Sequence, residues 1–461
     1  MSKAYQVIIV GAGPAGIFAA LKLASCGVTG VLLLEAGPEL ARRSCPARER
    51  HIPCVRCELC HLTSGWGGAG AYSDGKLTLS TEVGGHLPEI VGEDRARELI
   101  AQVDALWRQF GDTGPIHGLP SDEVEAWQKK AALAGLRLLL SPVRHVGTEQ
   151  IRQLLGSMQQ HLAENGVEIR TQCPVEDVIV SDGRLLGVRT ERGEELEGQF
   201  VVLAPGRAGA NWLQAVATRL GLRLTRNPVD VGVRVELPAV VLQPLTEVLY
   251  EPKLVYYSSR FDDKVRTFCV CPYGEVVTER AAGVTTVNGH SYANHKTDNT
   301  NFAVLVSKHF TEPFDDPIAY GQSIARLANL LGNGVLVQRL GDLEQGRRST
   351  PERLARGIVT PTLREATPGD LGLVLPYRYL VNILEMLHAM DELVPGVCSR
   401  HTLLYGVEVK FYSSRLYLRP TLETDIPNLF AAGDGAGVTR GLAQACASGL
   451  LVGKEIAERL T

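Results

Sequence analysis

The residues with the clearest chemical pattern are three glycines near the amino terminus. Gly11, Gly13 and Gly16 form a Gly-x-Gly-x-x-Gly turn that follows an apolar run and precedes a helix-like run, and a second apolar run ends in Glu35. In such a unit the glycines let the backbone approach a pyrophosphate, and the acid accepts hydrogen bonds from ribose hydroxyls. The pattern predicts a dinucleotide site. Its alternative is a glycine-rich turn that binds nothing.

A second pattern of this kind lies near the carboxyl end. Residues 428–432 are typical of a buried strand that ends in Gly433 and Asp434, and a long helix is predicted from about Leu442 onward. An acid at this place can hold the ribityl hydroxyls of a flavin. The positive end of the helix favours the negative charge that collects at the flavin N1–O2 edge on reduction. The two ends of the chain therefore predict one flavin nucleotide site.

A glycine-rich stretch at residues 64–76 contains five glycines. So many small residues let backbone N–H groups crowd against a flat or anionic ligand. A plain flexible loop is the alternative.

Four of the ten cysteines stand close together after Glu35: Cys45, Cys54, Cys57 and Cys60. The C-x2-C-x2-C spacing can wrap a metal or an iron–sulfur cluster, with Cys45 or a neighbouring histidine (His51 or His61) as a further ligand. Unligated thiols on an irregular loop are the alternative, because zinc sites usually need a second pair at a characteristic distance. All of these stay open, and no metal site is predicted.

The composition is that of a globular protein, with 45% hydrophobic and 21% charged residues in 461 positions. Two or three domains are expected from this length. A net charge of −4 disfavours nucleic acid and anionic membranes as partners. No secretory signal is visible before the first apolar run, and the apolar runs are too short or too polar to span a bilayer. The predicted localisation is cytoplasmic.

The elements that would position these residues change along the chain. Residues 86–145 are predicted to be mostly helical, with helices at 95–110 and 123–140. Short strands with tight turns follow and form a β-meander that returns to a buried parallel strand before Ala204 and Gly206. The next 175 or so residues show the alternation of an antiparallel sheet, followed by helices. They contain no second Gly-x-Gly-x-x-Gly between a strand and a helix.

These features together resemble the two-domain FAD flavoproteins of the glutathione-reductase-like superfamily. Four internal motifs resemble, more narrowly, a poorly characterised family of FAD-dependent dehydrogenases. The motifs are residues 67–76, 268–274, 287–289 and 404–408. Tyr273 stands where a glycine is more usual in that family.

The resemblance implies an α/β fold with a Rossmann-type FAD-binding domain built from discontinuous segments, plus a mixed α+β substrate domain and a helical insertion. The predicted FAD-binding domain is 1–85, 146–226 and 402–461, the helical insertion or lid is 86–145, and the substrate domain is 227–401. Patterns and resemblance together predict these cofactor-binding residues: Gly11, Gly13, Pro14, Ala15, Gly16, Glu35, Ala36, Arg42, Gly68, Ala69, Val175, Ala204, Gly206, Gly433, Asp434, Leu442 and Ala443.

The implied function is that of an FAD-dependent oxidoreductase, a dehydrogenase or reductase that moves a hydride between the flavin and an unidentified small metabolite. NAD(P)H as a transient electron donor stays open. The alternative is an accessory electron-transfer flavoprotein that uses the cysteine-rich loop as a cluster or docking site.

No catalytic residue is predicted, although several side chains in the middle of the chain are candidates. Cys269 and Cys271 would lie on one face of a strand, as a nucleophile or as small core residues. Paired arginines could clamp a substrate carboxylate or lie on a solvated surface. The other candidates are His290, His295, Arg347, Arg348, Glu408 and Lys410.

Overall fold

A computed structural model describes residues 4–46, 49, 55, 57–73, 75–225, 228–281, 283–291, 296–308, 310, 316–410 and 415–461. The chain divides into two compact units. The first comprises Met1–Ile116, Pro142–Arg226 and Ser413–Thr461, and the second comprises His117–Ser141 and Asn227–Tyr412.

The first unit is built on a seven-stranded sheet. Five strands are parallel and lie in the spatial order Glu168–Arg170, Val31–Leu34, Tyr5–Val10, Glu195–Leu203 and Leu429–Ala431. The two remaining strands, Arg184–Thr190 and Val175–Ser181, continue antiparallel from Glu195–Leu203 as a meander. Val31–Leu34 and Leu429–Ala431 are wholly apolar and buried, as are most of Tyr5–Val10 and the end of Glu195–Leu203, because parallel sheets are covered on both faces.

Two helices of the first unit approach each other closely. Pro14–Ser25 packs against Leu442–Leu460, and the close approach requires a glycine at the crossing. A Cβ on Gly449 would lie 2.0 Å from the carbonyl oxygen of Ala15. Both helices begin at the carboxyl edge of the parallel sheet. The other helices of this unit are Leu87–Val91, Glu93–Gln109, Thr148–Glu164 and Ala210–Arg219, with 3-10 turns at Leu40–Arg42, Gly68–Tyr72 and Asp434–Ala436.

Short strands complete the first unit. Lys76–Thr78 pairs with Val143–His145, and Leu224–Thr225 pairs with Arg415–Leu416. One more short strand, Ile116–His117, stands at the division between the units in the chain.

The second unit contains an eight-stranded, mainly antiparallel sheet. Its spatial order is Thr367–Pro368, Leu336–Arg339, Leu403–Lys410, Val229–Pro238, Asn299–Lys308, Lys264–Cys271, Lys253–Tyr257 and Arg137–Leu139. A separate hairpin joins Glu275–Ala281 to Val284–His290. The helices are Asp122–Leu133, Ala239–Thr246, Pro317–Gly332, Leu340–Glu344, Pro351–Ala355 and Tyr377–Leu393, with a 3-10 turn at Leu371–Leu373.

The prediction of a helix over residues 123–140 is wrong at its carboxyl end. The helix Asp122–Leu133 ends before Gly135, whose φ of 71° lies in the left-handed region that favours glycine. Arg137–Leu139 is a strand instead, because it pairs with Lys253–Tyr257 and forms the edge of the sheet. Edge pairing in the tertiary structure therefore overrides the local helical pattern.

The predicted α/β class, with a Rossmann-type sheet assembled from discontinuous segments, is confirmed. The units divide at other residues than the predicted domains do. Residues 117–141 belong to the second unit through the pairing of Arg137–Leu139, and so do residues 402–412, because Leu403–Lys410 is an inner strand of the antiparallel sheet. Within the part of the chain that the structure describes, no helix is both long and apolar enough to cross a bilayer.

Candidate functional site

A cavity of about 550 Å³ opens at the carboxyl edge of the parallel sheet in the first unit. Its wall includes residues that end or directly follow four of the parallel strands: Val10, Leu34, Glu35, Ala204 and Gly433. Open α/β sheets bind ligands at this edge, where the helices that follow the strands present their N-termini.

The glycine turn forms one wall of the cavity. Gly11 has a φ of 106°, and a Cβ there would lie 2.2 Å from the carbonyl oxygen of Ala204. A Cβ on Gly16 would lie 1.9 Å from the carbonyl oxygen of Gly11. A Cβ on Gly13, in contrast, would meet no atom within 4 Å. Gly11 and Gly16 are therefore required by the chain's own packing, whereas Gly13 leaves room in the cavity.

Glu35 connects three backbone segments around the cavity. Its Oε2 accepts a hydrogen bond from the backbone N–H of Ala12 at 2.8 Å. Its Oε1 accepts from the N–H groups of Gly37 and Gly65, at 2.8 and 2.7 Å. The carboxylate therefore positions the glycine turn and the glycine-rich stretch, in addition to the predicted contact with a ribose, because a carboxylate offers about four acceptor sites.

The glycine-rich stretch lies directly against the glycine turn. The N–H of Gly67 donates to the carbonyl oxygen of Ala12 at 2.8 Å, and a Cβ on Gly68 would lie 3.0 Å from Cα of Gly13. The buried guanidinium of Arg43 fixes the stretch by donating to the carbonyl oxygen of Trp66 at 2.6 Å. Burial lowers the pKa of Arg43, although the neighbouring Tyr72 and Glu35 oppose this shift.

Asp434 lies at the other end of the cavity wall. Its Oδ1 accepts hydrogen bonds from the hydroxyl of Thr439 at 2.7 Å and from the N–H of Gly441 at 3.3 Å. Burial raises the pKa of Asp434, whereas Arg207, with Nε 3.7 Å from Oδ2, acts in the opposite direction. The carboxyl group therefore has unused acceptor capacity and stands where a hydroxyl donor would stabilise its charge.

The cavity has the shape and polarity that FAD requires. Gly13, Gly206 and Gly441 line it, and a Cβ on any of the three would meet no protein atom within 4 Å. The helices Pro14–Ser25 and Leu442–Leu460 both begin here, with no side-chain cap and no acid in their first turns. Their N–H groups and dipoles suit a pyrophosphate and an electron-rich flavin edge.

All but three of the predicted cofactor-binding residues line this cavity: Gly11, Gly13, Pro14, Ala15, Glu35, Ala36, Gly68, Ala69, Val175, Ala204, Gly206, Gly433, Asp434 and Leu442. The other three do not, for different reasons. Gly16 packs against the backbone of Gly11, Arg42 is exposed and pairs with Glu39 at 2.9 Å, and Ala443 is buried in the core.

Further residues line the cavity that the sequence analysis did not identify: Ser73, Lys76, Cys173, Pro174, Glu191, Pro205, Arg207, Trp212 and Gly441. Three of them could have been predicted from adjacent residues, because Pro205 and Arg207 flank the predicted residue Gly206 and Gly441 precedes a predicted helix. Cys173 and Glu191 reach the cavity only through the folding of the meander, which has no local signature.

The catalytic candidates lie in the second unit, and three of them, Arg347, Glu408 and Lys410, are in ion pairs. Glu408 is fully buried, and its Oε1 lies 3.0 Å from Nζ of Lys410. Nε of Arg347 lies 2.9 Å from Oδ1 of Asp342, so this guanidinium already forms an ion pair within the protein. His290 is exposed at the end of its strand. For Arg348 the structure gives a backbone contact, a carbonyl oxygen that accepts from Arg353, and His295 lies outside the described residues.

The prediction that Cys269 and Cys271 share one face of a regular strand is wrong in its geometry. Cys269 has a φ of 47°, and the pairing with Asn299–Lys308 shifts register between Phe268 and Cys271. This bulge interrupts the alternation of side chains. Tyr273 also has a positive φ, 52°, which is a physical reason for glycine being more usual at its position.

The cysteine-rich segment is described only in part. Cys57 and Cys60 are exposed and Cys45 is partly buried, whereas Cys54 and His51 lie outside the described residues. Among the described residues, no group of three or more His, Cys, Asp or Glu side chains has a metal-binding arrangement.

Two protein-family models match the chain. One, described as FAD-dependent protein, C-terminal domain-like, matches residues 228–411, which is most of the second unit. The other, described as Glucose inhibited division protein A, matches residues 6–49 and 366–461. The second match therefore includes the glycine turn, Glu35, Asp434 and the helix Leu442–Leu460.

A relative from Clostridium beijerinckii, described as an uncharacterized protein, is 27% identical over 477 aligned residues, with 98% of this chain and 80% of that protein covered. Among solved structures, a 3-ketosteroid-Δ4-(5α)-dehydrogenase from Rhodococcus jostii aligns over 98% of this chain and 97% of its own, at 16% identity and a TM-score of 0.46. A glycine oxidase from Bacillus cereus aligns over 99% and 95%, at 14% identity and a TM-score of 0.37. The substrates of these two proteins say nothing about this chain.

The predicted cofactor, FAD, is confirmed by the family matches, and so is the broad prediction of an FAD flavoprotein. The narrower resemblance to the glutathione-reductase-like superfamily stays a prediction. When bound, FAD supplies electron and hydride transfer, so the residues of the chain need only hold it and orient a substrate.

Proposed function

Because this chain is an FAD-dependent oxidoreductase, we propose that it transfers a hydride between its flavin and an unidentified small metabolite, as a dehydrogenase or a reductase. The observation that carries the proposal is the cavity at the carboxyl edge of the parallel sheet. Its wall combines three glycines that leave open room with two uncapped helix N-termini and a carboxylate at either end.

The residues around the cavity have distinct proposed roles. Gly11, Gly13 and the first turn of Pro14–Ser25 hold the pyrophosphate, and Glu35 accepts from the adenosine ribose while it fixes the loops around it. Asp434 accepts from the ribityl hydroxyls, and the first turn of Leu442–Leu460 faces the flavin edge where charge collects. These roles rest on the placement of the residues in the cavity wall.

Asp434 also has a role in charge balance. The pKa of this carboxyl group is raised by burial, so a hydroxyl donor in the cavity stabilises the ionised form. Arg207 is 70% exposed, and its Nε lies 3.7 Å from Oδ2 of Asp434, close enough to compensate the charge. A partly buried acid beside an exposed cation therefore suits a cofactor whose own charge changes during the reaction.

The proposed division of labour assigns FAD binding to the first unit and substrate recognition to the second. The support for the first part is that the cavity is lined by residues of the first unit alone. The support for the second part is the group of buried charged side chains in the antiparallel sheet, such as Glu408, Lys410 and Arg234.

Anaerobic reduction of the FAD-loaded protein tests the proposed function. NADH, NADPH and panels of reduced small metabolites are mixed with the protein, and the flavin absorbance near its visible maximum is recorded with time. Rapid bleaching by NADH or NADPH identifies a nicotinamide-coupled reductase, and bleaching by a metabolite identifies a dehydrogenase. A flavin that none of these donors reduces, but that exchanges single electrons with a protein partner, would contradict the proposal.

The accessory electron-transfer alternative has no supporting observation in the described residues. It requires a cluster or docking site at the cysteine-rich loop, where the described cysteines are partly buried or exposed thiols without a metal-binding arrangement.

A further inference from the structure

Three of the motifs that carry the family resemblance meet in one buried cluster of the second unit. Its centre is Arg234, which is fully buried. Its Nε donates to Oδ1 of Asn301 at 2.8 Å, and its Nη2 donates to the carbonyl oxygen of Cys269 at 2.7 Å and to Sγ of Cys271 at 3.1 Å. Its Nη1 lies 3.6 Å from Oε2 of Glu408. We call these five residues the arginine–thiol cluster.

Two glycines allow the guanidinium and the thiol to come this close. A Cβ on Gly289 would lie 1.9 Å from Nη2 of Arg234, and a Cβ on Gly274 would lie 2.9 Å from Cβ of Cys271. Both glycines belong to the motifs at residues 268–274 and 287–289. The motifs therefore keep space for the contact between Arg234 and the sulfur of Cys271.

The bulge in the strand brings the two cysteines into direct contact. Cys269 is in a left-handed conformation, Sγ of Cys271 lies 3.5 Å from the carbonyl oxygen of Cys269, and neither residue is in a disulfide. Cys271 is buried and Cys269 is partly exposed. The partly exposed cysteine therefore lies next to the buried one.

The guanidinium of Arg234, with Nη2 3.1 Å from Sγ of Cys271, favours the thiolate of Cys271 over that of Cys269. The hydrogen bond to Cys271, together with burial, raises the pKa of Cys269 well above its usual value, and Arg234 only partly opposes this. Burial by itself would lower the pKa of Arg234, but Glu408 and the two cysteines raise it, so the guanidinium stays charged. A thiolate beside a permanent guanidinium is a nucleophile at neutral pH.

Two buried donors in the cluster make no hydrogen bond to the described residues. They are Nδ2 of Asn301 and Nη1 of Arg234, the latter of which faces Oε2 of Glu408 at 3.6 Å without a hydrogen bond. Orphaned buried donors call for an explanation, such as a small bound molecule. Beside a sulfur nucleophile, such donors suit an oxygen atom on which negative charge develops.

We propose that Cys269 and Cys271 form a dithiol that reacts with hydroperoxides, with Cys271 as the nucleophile and Cys269 as the resolving thiol. The reactant is a hydroperoxide because Cys271 is only 2% exposed, which excludes a bulky disulfide from this sulfur. The orphaned donors on Arg234 and Asn301 would hold the departing oxygen. The proposal is independent of the reaction at the flavin.

The reaction has two steps, each balanced in atoms and electrons. In the first, the thiolate of Cys271 attacks one oxygen of hydrogen peroxide, the O–O bond breaks, and the departing hydroxide takes up the proton that Cys271 had released, giving water and a sulfenic acid. In the second, the sulfur of Cys269 attacks the sulfur of Cys271, the S–O bond breaks, and the hydroxyl leaves with the thiol proton as a second water. Two thiols are oxidised by two electrons, and one peroxide is reduced.

Mass spectrometry of one tryptic peptide tests the proposal on the FAD-loaded full chain. The peptide 267–280 contains Cys269 and Cys271 and no other cysteine. The protein is treated with hydrogen peroxide in the dark without oxygen, quenched with a thiol-alkylating reagent and digested. The expected peptide is unalkylated and lighter by two hydrogen atoms. Cys398 is the internal control and should stay reduced, because burial raises the pKa of its thiol to about 12 and leaves little thiolate to react with peroxide.

Single substitutions assign the two roles. Cys269→Ser should accumulate a sulfenic acid on Cys271 that dimedone traps, whereas Cys271→Ser should leave Cys269 reduced at the same peroxide concentration. Gly289→Ala should slow disulfide formation about 10-fold, because a displaced guanidinium lowers the thiolate fraction of Cys271.

Two results would overturn the proposal. One is a wild-type peptide that stays doubly alkylated at a peroxide concentration that oxidises the exposed Cys26. The other is equal oxidation of the remaining cysteine in Cys269→Ser and Cys271→Ser, which would mean that Arg234 does not select a nucleophile. The wild-type measurement needs no variant to fold.

Discussion

The cofactor cavity of the first unit and the arginine–thiol cluster of the second unit are built in opposite ways. Part of the cavity wall consists of glycines: Gly13, Gly206 and Gly441 have no side chain and leave open space, which backbone N–H groups face. In the cluster, charged side chains are buried completely and fill the space, with Arg234 and Glu408 both at 0% exposure. One site gains its function from room for a ligand, the other from groups held close together.

The difference decides what each site tolerates. An added methyl group in the cavity competes with a ligand, so it changes binding more than folding. A removed charge in the cluster leaves another charge buried without its partner, so it changes folding first. The predictions below test this contrast, from the largest expected effect on the free energy of unfolding to the smallest.

Arg234→Leu should cause the largest loss of stability, about 3–5 kcal/mol in the free energy of unfolding, because it leaves Glu408 as a buried charge with one cation fewer. Urea titration followed by circular dichroism measures the loss. Arg347→Leu is the control. Arg347 is in an ion pair too, with Asp342, but its side chain is 46% exposed, so its loss should cost about 1 kcal/mol or less. Equal losses in the two variants would mean that burial does not set the importance of these arginines.

Gly16→Ala should cost about 1–3 kcal/mol, because its Cβ would lie 1.9 Å from the carbonyl oxygen of Gly11, and overpacked sites force the backbone to move. Gly156→Ala is the matched control within a helix, since its nearest atom would be Leu40 Cδ2 at 3.9 Å. This control should be neutral or stabilising by up to about 1 kcal/mol. Urea titration of the FAD-free chains gives both values, and a Gly16→Ala chain as stable as the control would contradict the packing argument.

Acid should destabilise the second unit through its paired carboxylates. Burial by itself would raise the pKa of Asp342, but hydrogen bonds from Arg339, Ser349 and Arg347 hold it well below its usual value of 3.8. A carboxyl group with a lowered pKa in the folded state contributes stability above its unfolded pKa and loses it as pH falls through the folded pKa. The urea concentration at the midpoint of unfolding should therefore decrease as the pH falls below about 5. Asp342→Asn should make this decrease smaller.

Asp434 in the cavity should behave with the opposite sign in the FAD-free chain. Burial raises its pKa, so its contribution is present below the unfolded pKa and is lost as pH rises through the folded pKa. Asp434→Asn should therefore raise the stability of the FAD-free chain at pH 7 relative to the wild type. Asp94→Asn, at a 94% exposed side chain, is the control and should change little. A less stable Asp434→Asn chain would mean that this charge is already compensated without a ligand.

The sequence was informative about the cavity because its requirements are local. Gly11, Gly13 and Gly16 lie in one turn, and the strand before Asp434 is followed by a helix, so spacing along the chain carries the site. Arg42 fails for a local reason too: its side chain is exposed and pairs with Glu39, and the next residue, Arg43, is the buried one.

The cluster could not be predicted in the same way, because its members are far apart in the chain. Arg234, Cys271 and Glu408 meet only through the pairing of four adjacent antiparallel strands, and an isolated arginine in an alternating stretch is more typical of a solvated face. The bulge at Cys269 depends on the same pairing. Local sequence patterns do not encode the order and register of the strands. Features that depend on them, such as this cluster, were therefore not predicted.

The most direct test of the central claim, that FAD binds in the cavity of the first unit, is the dissociation constant of FAD for Gly13→Ala beside the wild type. The added Cβ meets no protein atom within 4 Å, so the FAD-free variant should unfold at the same urea concentration as the wild type. Its affinity for FAD should fall about 100-fold, which corresponds to roughly 2.7 kcal/mol, and the Gly156→Ala chain should bind as the wild type does. Unchanged FAD affinity in Gly13→Ala would contradict the account.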